Sequence, residues 1–220
     1  MPIELFIFDI AGTTVRDNGF VSRAFLAAAR SIGHEPDVEW MRARMGLDKR
    51  GVFREMLRES GRGEDGYQTL ASHFESCIEQ ELHTTPPVLL PGAAETIETL
   101  AGRGVKIAFT TGFSARTAAL VLGHVGWDDY VAVASDEVSQ GRPAPDLIHE
   151  AMRRSGVTNS SGVGVAGDTP SDLQSGHAAS CAIIVGVGHG THTLEELSKH
   201  PHTHLIPNLS TLPEIVSAAL

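Results

Sequence analysis

Short apolar runs alternate with stretches of helical period along most of this chain. Ile3 to Phe8 (IELFIF) is apolar nearly throughout, which suits a central parallel strand covered on both faces. Val105 to Phe109, Tyr130 to Ala134, Gly162 to Ala166 and Ala182 to Val187 repeat the pattern, and His204 to Ile206 repeats it weakly. Helical spacing predicts helices over roughly 92–102, 114–124, 145–155, 170–179, 193–199 and 211–219. Strand alternating with helix from residue 86 onward predicts an α/β fold, a Rossmann-like doubly wound parallel sheet.

The segment 16–85 breaks that rhythm. Phe25, Ala28 and Ile32, then Val52, Met56 and Leu57, fall at helical spacing, and Gly61 to Gly66 (GRGEDG) reads as a loop between helices. Thr84 to Pro87 (TTPP) marks the return to the sheet. The expected organisation is therefore a core from 1–15 and 86–220 with a helical cap, 16–85, inserted after the first strand.

Ligands of an open parallel sheet bind at the carboxyl ends of its strands. The residues that follow each apolar run are therefore the informative ones. Asp9-Ile-Ala-Gly-Thr-Thr-Val15 follows the first, Thr110, Thr111 and Gly112 the second, Gly141-Arg142-Pro143 comes shortly after the third, and Gly167-Asp168-Thr169-Pro170-Ser171-Asp172 follows the fourth. Taken singly, each has an ordinary structural explanation. A lone Asp after a strand serves a turn or an N-cap, GDTPSD makes a helix N-cap with Pro at N1, and GRP makes a turn. Together, in this order, they bring carboxylates, a hydroxyl and a cation to one end of one sheet.

That set suits phosphoryl transfer. Asp9 and Asp168 can share a hard dication through oxygen ligands, as magnesium prefers. The metal and Arg142 would offset charge on phosphoryl oxygens, to which Thr111 and backbone N–H groups would donate. Asp9, brought against the phosphoryl group by the metal, would act as the nucleophile of a two-step hydrolysis.

The four motifs in this order resemble the haloacid dehalogenase (HAD) superfamily with a cap after the first strand. By that resemblance Asp9 is the nucleophile, Thr111 the phosphate-binding hydroxyl with Gly112 beside it, Arg142 the cation and Asp168 a metal ligand. Asp172 would sit beside the metal as an outer or water-mediated ligand. Phosphatases of this superfamily usually carry a second Asp two residues after the nucleophile, which protonates the leaving alkoxide. Here that position is Ala11, which can offer the metal only its backbone carbonyl.

Asp9-x-Ala-Gly-Thr-Thr-Val resembles the phosphonatase branch, the phosphonoacetaldehyde hydrolases and their relatives, which cleave a carbon–phosphorus bond. In that branch a cap lysine within Met-Gly-Leu-x-Lys forms a Schiff base with the substrate aldehyde, so no leaving oxygen needs a proton. This chain has Met45-Gly-Leu-Asp-Lys49, which places Lys49 in that role and Met45 at the site. Taken alone, Lys49 would read as a solvated helix lysine. A Schiff-base lysine must be neutral to attack, which requires burial or nearby cations. Arg44 and Arg50 are its cationic sequence neighbours. Three branch features are absent: a histidine three residues after the lysine is Val52, an aromatic hydroxyl two after Thr111 is Phe113, and a cysteine ten after the nucleophile is Gly19. The alternative expectation is a phosphomonoesterase acting on a small phosphorylated metabolite, akin to phosphoglycolate phosphatase.

Composition narrows the partners. The 220 residues carry a formal charge of -10, which opposes binding to nucleic acid and anionic membrane. Cys77 and Cys181 lack metal-ligand spacing and are expected as reduced thiols. The N-terminal residues show no basic n-region or long apolar h-region, and no apolar run reaches the roughly 18 residues of a membrane span, so a cytoplasmic protein is expected. Its expected partner is a small phosphonate or phosphate substrate, and the resemblance implies a homodimer through the cap. The loop histidines His189, His192, His200, His202 and His204 lack acidic partners at ligand spacing and read as solvated. Gly186-Val-Gly188-His-Gly190 matches only part of a dinucleotide fingerprint. Trp40 and Met41, with Met45, fall at near-helical spacing and read as packing between cap and core.

Overall fold

The first apolar run forms β1 (Leu5–Asp9), whose five residues are all buried. Alternation sends Phe6 and Phe8 to one face of the sheet and Leu5 and Ile7 to the other, where they join separate hydrophobic clusters. The computed structural model describes residues 2–218. In it β1 pairs in parallel with β2 (Lys106–Thr111) and with β4 (Val163–Gly167). Outward from β2 lies β3 (Val131–Ala134). Outward from β4 lie β5 (Ile183–Val187) and β6 (His204–Ile206). The six parallel strands run β3-β2-β1-β4-β5-β6, so the order reverses between β1 and β4. A crevice opens there above the carboxyl ends.

Helices α5 (Ala93–Gly102), α6 (Ala115–His124), α7 (Asp146–Ser155), α8 (Pro170–Ala178), α9 (Leu194–Leu197) and α10 (Leu212–Ala218) link or flank the strands. On one face Leu147, Ile148, Ala151 and Met152 of α7 pack with Leu5, Ile7 and Val133. On the other, Ile97 and Leu100 of α5 and Val216 of α10 pack with Phe6, Phe8 and Phe109. The expected elements are present with shifted ends. Thr110 and Thr111 belong to β2 rather than following it, the helix expected over 193–199 shortens to four residues, and residue 219 lies outside the described residues.

Four helices fill the insertion, α1 (Phe20–Ser31), α2 (Val38–Arg42), α3 (Lys49–Glu59) and α4 (Tyr67–Thr84). The GRGEDG loop ends in one 3-10 turn, Glu64–Gly66. Phe25 of α1, Phe53 of α3 and Phe74 of α4 form an aromatic triangle with ring centroids 5.0–5.5 Å apart. Burying each ring is worth about 2–3 kcal/mol, so this triangle ties three helices into one body. Met41 is buried, whereas Trp40 lies under the Arg44 guanidinium, 3.9 Å from its centroid, and donates its ring N–H to Glu59.

Candidate active site at the sheet switch point

Asp9 ends β1 and Asp168 follows β4, so adjacent strands on either side of the order reversal deliver two carboxylates to one crevice. Asp172, one turn into α8, supplies a third. Carboxylate oxygens of Asp9, Asp168 and Asp172 lie within 4.8 Å of one another, and all three residues are buried. Arg142 sits against two of them, its Nη1 2.6 Å from Asp9 Oδ1 and 2.6 Å from Asp172 Oδ1. Its Nη2 donates to the backbone oxygen of Thr110 at 2.7 Å and to the Thr110 hydroxyl at 2.8 Å. The guanidinium is therefore committed beneath the carboxylates, where it holds Asp9 in place. It is absent from the lining of the cavity above Asp9. In this arrangement the Asp9 carboxylate stands between the guanidinium and the cavity.

Asp168 is held on both oxygens. The Thr13 hydroxyl donates to Oδ1 at 3.0 Å and the Thr191 N–H to Oδ2 at 2.7 Å. Asp172 accepts from the Thr169 N–H at 3.0 Å and the Thr169 hydroxyl at 2.6 Å, the capping box of α8.

Above Asp9 lies a cavity of about 30 Å³, room for a water or two. Ala11, Thr111, Gly112 and Thr169 line it from the sheet, Met45, Gly46 and Lys49 from the insertion. Lys49 opens α3 and is 8% exposed. Its Nζ lies 3.4 Å from the Leu47 carbonyl and 5.0 Å from the Phe25 ring centroid, and it forms no ion pair among the described residues. The structure thus brings together Asp9, Ala11, Met45, Lys49, Thr111 and Gly112, with Asp168 and Asp172 beside them and Arg142 below.

A model of the haloacid dehalogenase-like hydrolases matches residues 3–180. The chain belongs to that family. It is 32% identical to a phosphonoacetaldehyde hydrolase of Bacteroides fragilis over 93% of this chain and 82% of that protein. It is 31% identical to a bifunctional phosphonoacetaldehyde hydrolase/aminoethylphosphonate transaminase of Clostridioides difficile, over 94% of this chain but only 36% of that longer protein. A probable phosphatase, IndB of Dickeya dadantii, is 29% identical over 98% of this chain and 93% of its own. Among solved structures, a hydrolase from Pseudomonas syringae superposes with a TM-score of 0.87 at 23% identity, covering 97% of this chain and 98% of that one. No described helix is long and apolar enough to cross a membrane.

The electrostatics of this hydrolase explain what the buried cluster can hold. Burial raises the pKa of Asp9, with Asp172 and Asp168 adding to the effect and Arg142 opposing it. Burial also raises Asp168, reinforced by Asp172 and opposed by the Thr191 and Thr13 donors. Three carboxylates against one guanidinium leave an uncompensated negative charge in a buried, oxygen-only donor set. A hard divalent cation fits that set in charge and in ligand type.

Lys49 is moved the other way. Burial lowers its pKa to about 8, opposed by Asp9 and assisted by Arg142. Arg44 and Arg50, its sequence neighbours, are instead neutralised by ion pairs with Glu55 at 2.6 Å and Asp48 at 2.8 Å. The cation that bears on Lys49 comes from the sheet.

The loop before Lys49 fits against the sheet without spare room. A methyl group on Gly46, whose φ is +78°, would fall 2.5 Å from the Thr169 hydroxyl, and one on Gly112 would fall 2.8 Å from the Leu47 carbonyl. Sequence reasoning named Thr110 as a strand-end residue and Thr169 as one candidate N-cap, and the structure makes Thr169 the cap of α8; it assigned no site role to Thr13 or to the Gly190-Thr191 turn. The last was within reach of the strand-end rule, because it follows β5 at the same edge of the sheet. Gly186 to Gly190 acts there through Gly190, where a methyl group would fall 2.3 Å from Asp168. It wraps a carboxylate and not a dinucleotide.

Proposed function

We propose that this hydrolase cleaves the carbon–phosphorus bond of an aldehyde phosphonate such as phosphonoacetaldehyde, with Asp9 as phosphoryl acceptor and Lys49 as electron sink. The observation that carries the reading is the position of Lys49. It is a buried lysine on a helix of the insertion, with its pKa lowered to about 8, and it lines the same cavity as Asp9 and Ala11. Near pH 7 roughly a tenth of such amines are neutral, against a few in ten thousand for a lysine at its ordinary value.

The chemistry balances on these residues. The Lys49 amine adds to the aldehyde carbon and water leaves, giving an iminium. The Asp9 carboxylate attacks phosphorus as the C–P bond breaks, and that electron pair moves into the iminium to give an enamine. Protonation at carbon and hydrolysis return Lys49 and release acetaldehyde, while water cleaves the aspartyl phosphate. No alkoxide leaves, which accounts for a methyl group at Ala11.

Magnesium would be held by Asp9, Asp168 and the Ala11 carbonyl, with Asp172 alongside, and would supply positive charge between two anionic reactants. Arg142 keeps the Asp9 carboxylate oriented, and Thr111 and the Gly112 N–H would face the phosphoryl oxygens. The cavity of about 30 Å³ is too small for the substrate. Residues 16–85 therefore act as a cap that must lift to admit it and then reseal against water. Val52 and Phe113 are buried apolar packing here, so proton transfers at the imine fall to water or to groups other than the histidine and aromatic hydroxyl of the branch pattern.

Phosphate release with magnesium from phosphonoacetaldehyde and from a panel of phosphomonoesters tests the proposal, together with borohydride trapping. Release from the phosphonate with a reduced adduct on Lys49 is expected. Release from esters alone, untouched by Lys49→Ala, would establish a phosphomonoesterase, the reading that the resemblance to IndB favours.

A further inference from the structure

Lys49 is the wall between two spaces. On one side lies the cavity of about 30 Å³ above Asp9. On the other a groove of about 460 Å³ runs between α4 of the insertion and the loops that follow β2 and β3. Among the described residues Lys49 alone lines both. The groove carries Tyr67, Ser72 and Ser76 from α4, and Ser114 and Arg116 from the start of α6.

Its arginines are ion-paired and its carboxylates are ion-paired or hydrogen-bonded. Arg116 pairs with Glu79 at 2.5 Å, Arg50 pairs with Asp48, Glu75 accepts from the Thr117 hydroxyl, and Asp136 accepts from the Ala115 N–H. Ser114 and Ser135 are hydrogen-bonded within the fold, but four other neutral polar side chains are not. Tyr67, Gln68, Ser72 and Ser76 make no side-chain hydrogen bond among the described residues. They share the groove lining with Phe53 and Phe74. Paired arginines, carboxylates with no free arginine to receive an anion, free hydroxyls and an aromatic contribution to the lining favour an uncharged, hydroxylated chain over an anion or a purely apolar group.

Connectivity places that chain. In a 2-oxoalkylphosphonate the carbonyl carbon is two bonds from phosphorus and becomes bonded to Lys49 Nζ. A substituent on that carbon continues away from Asp9, past the lysine, and in this fold the space beyond the lysine is the groove. An aldehyde has only hydrogen there and leaves the groove unused. We infer that the groove is a substrate subsite and that the preferred substrate is a 2-oxoalkylphosphonate with a hydroxylated tail of a few carbons on its carbonyl carbon. The inference rests on the Schiff-base reading above. The reaction then yields a methyl ketone and phosphate, with one water consumed and no redox partner.

The test compares kcat/KM for phosphonoacetaldehyde, 2-oxopropylphosphonate and 4-hydroxy-2-oxobutylphosphonate, with borohydride trapping of each. The hydroxylated compound should exceed phosphonoacetaldehyde at least tenfold and leave its full reduced mass on Lys49. Ser76→Phe and Ser72→Trp place bulk on exposed positions of α4. Each should lower the ratio of the hydroxylated to the two-carbon kcat/KM at least tenfold, with a thermal melt confirming the fold. If phosphonoacetaldehyde is preferred and both variants leave the ratio unmoved, the subsite is overturned while the Schiff-base reading stands. If none of the three compounds leaves an adduct on Lys49, the Schiff-base reading falls and takes this inference with it.

Discussion

Arg142 and Asp9 form an ion pair of 2.6 Å in which both side chains are less than a tenth exposed. Removing one partner of such a pair strands the other charge without solvent. Arg142→Ala should lose about 3–5 kcal/mol of stability, because Asp172 loses the same partner. Part of that loss should return when magnesium is added, since the ion and the guanidinium offset the same carboxylates. Denaturant melts of both proteins with EDTA and with magnesium check this. A variant as stable as the parent in EDTA would refute it.

The three buried carboxylates make metal binding a stability effect and a proton effect. Magnesium at a hundredfold excess over its Kd should raise the unfolding free energy by roughly 3 kcal/mol. Asp168→Asn should abolish most of the gain. Asp9 and Asp168 have folded pKa values above their ordinary 3.8, so the folded metal-free protein binds more protons than the unfolded chain. Its stability should therefore be greatest below pH 3.8 as far as these groups are concerned, and should be lost as pH rises through their folded values. Magnesium should release protons on binding and bind more tightly as pH rises. Titration calorimetry in buffers of different ionisation enthalpy reads the proton count.

Lys49 should cost stability for the sake of reactivity. Its pKa falls from 10.5 to about 8 on folding, so between those values the unfolded chain binds the proton that the folded chain gives up. This group's contribution to stability therefore improves as pH rises from about 8 to 10.5, and at neutral pH the whole penalty is present. Lys49→Met should raise stability at pH 7 by up to about 3 kcal/mol while the proposed C–P cleavage falls to background. Melting curves at pH 7 and pH 10 are decisive, because the gain should shrink at the higher pH.

The same pKa sets the pH profile of the proposed reaction. On the acid side kcat/KM for an aldehyde phosphonate should rise through half its plateau near pH 8, the free enzyme's Lys49 value, and level off above it. A profile flat from pH 6 to 9 would mean that the lysine does not act as a free amine.

Gly46 meets Thr169 with no room for a methyl group. Gly46→Ala should raise KM and lower kcat at least tenfold by preventing the insertion from seating, while stability drops only about 1–2 kcal/mol for an L-residue at positive φ. Steady-state kinetics against a thermal melt separates the two effects.

Local chemistry in the sequence determines most of this protein's plan. The unbroken apolarity of Ile3 to Phe8 marks a strand buried on both faces, helical spacing at Phe25, Ala28 and Ile32 marks the insertion, and strand-end carboxylates at Asp9 and Asp168 mark the crevice. Those signals survive because they depend on residue type and period alone. What only the tertiary structure decided is which groups touch. Arg142 reads in sequence as a cation free for phosphate, yet its guanidinium is spent on Asp9, Asp172 and Thr110. Arg44 and Arg50 stand nearest Lys49 along the chain, but each turns to a carboxylate of its own, and it is burial, assisted by Arg142 93 positions away in the numbering, that lowers the lysine's pKa. Thr169 is legible only as a helix cap and Thr13 and Thr191 not at all, since a threonine becomes part of the site only when folding sets its hydroxyl or N–H against a buried carboxylate. Desolvation, which moves Asp9 and Lys49 in opposite directions, arises only when cap and sheet close over both, and no stretch of sequence records that contact.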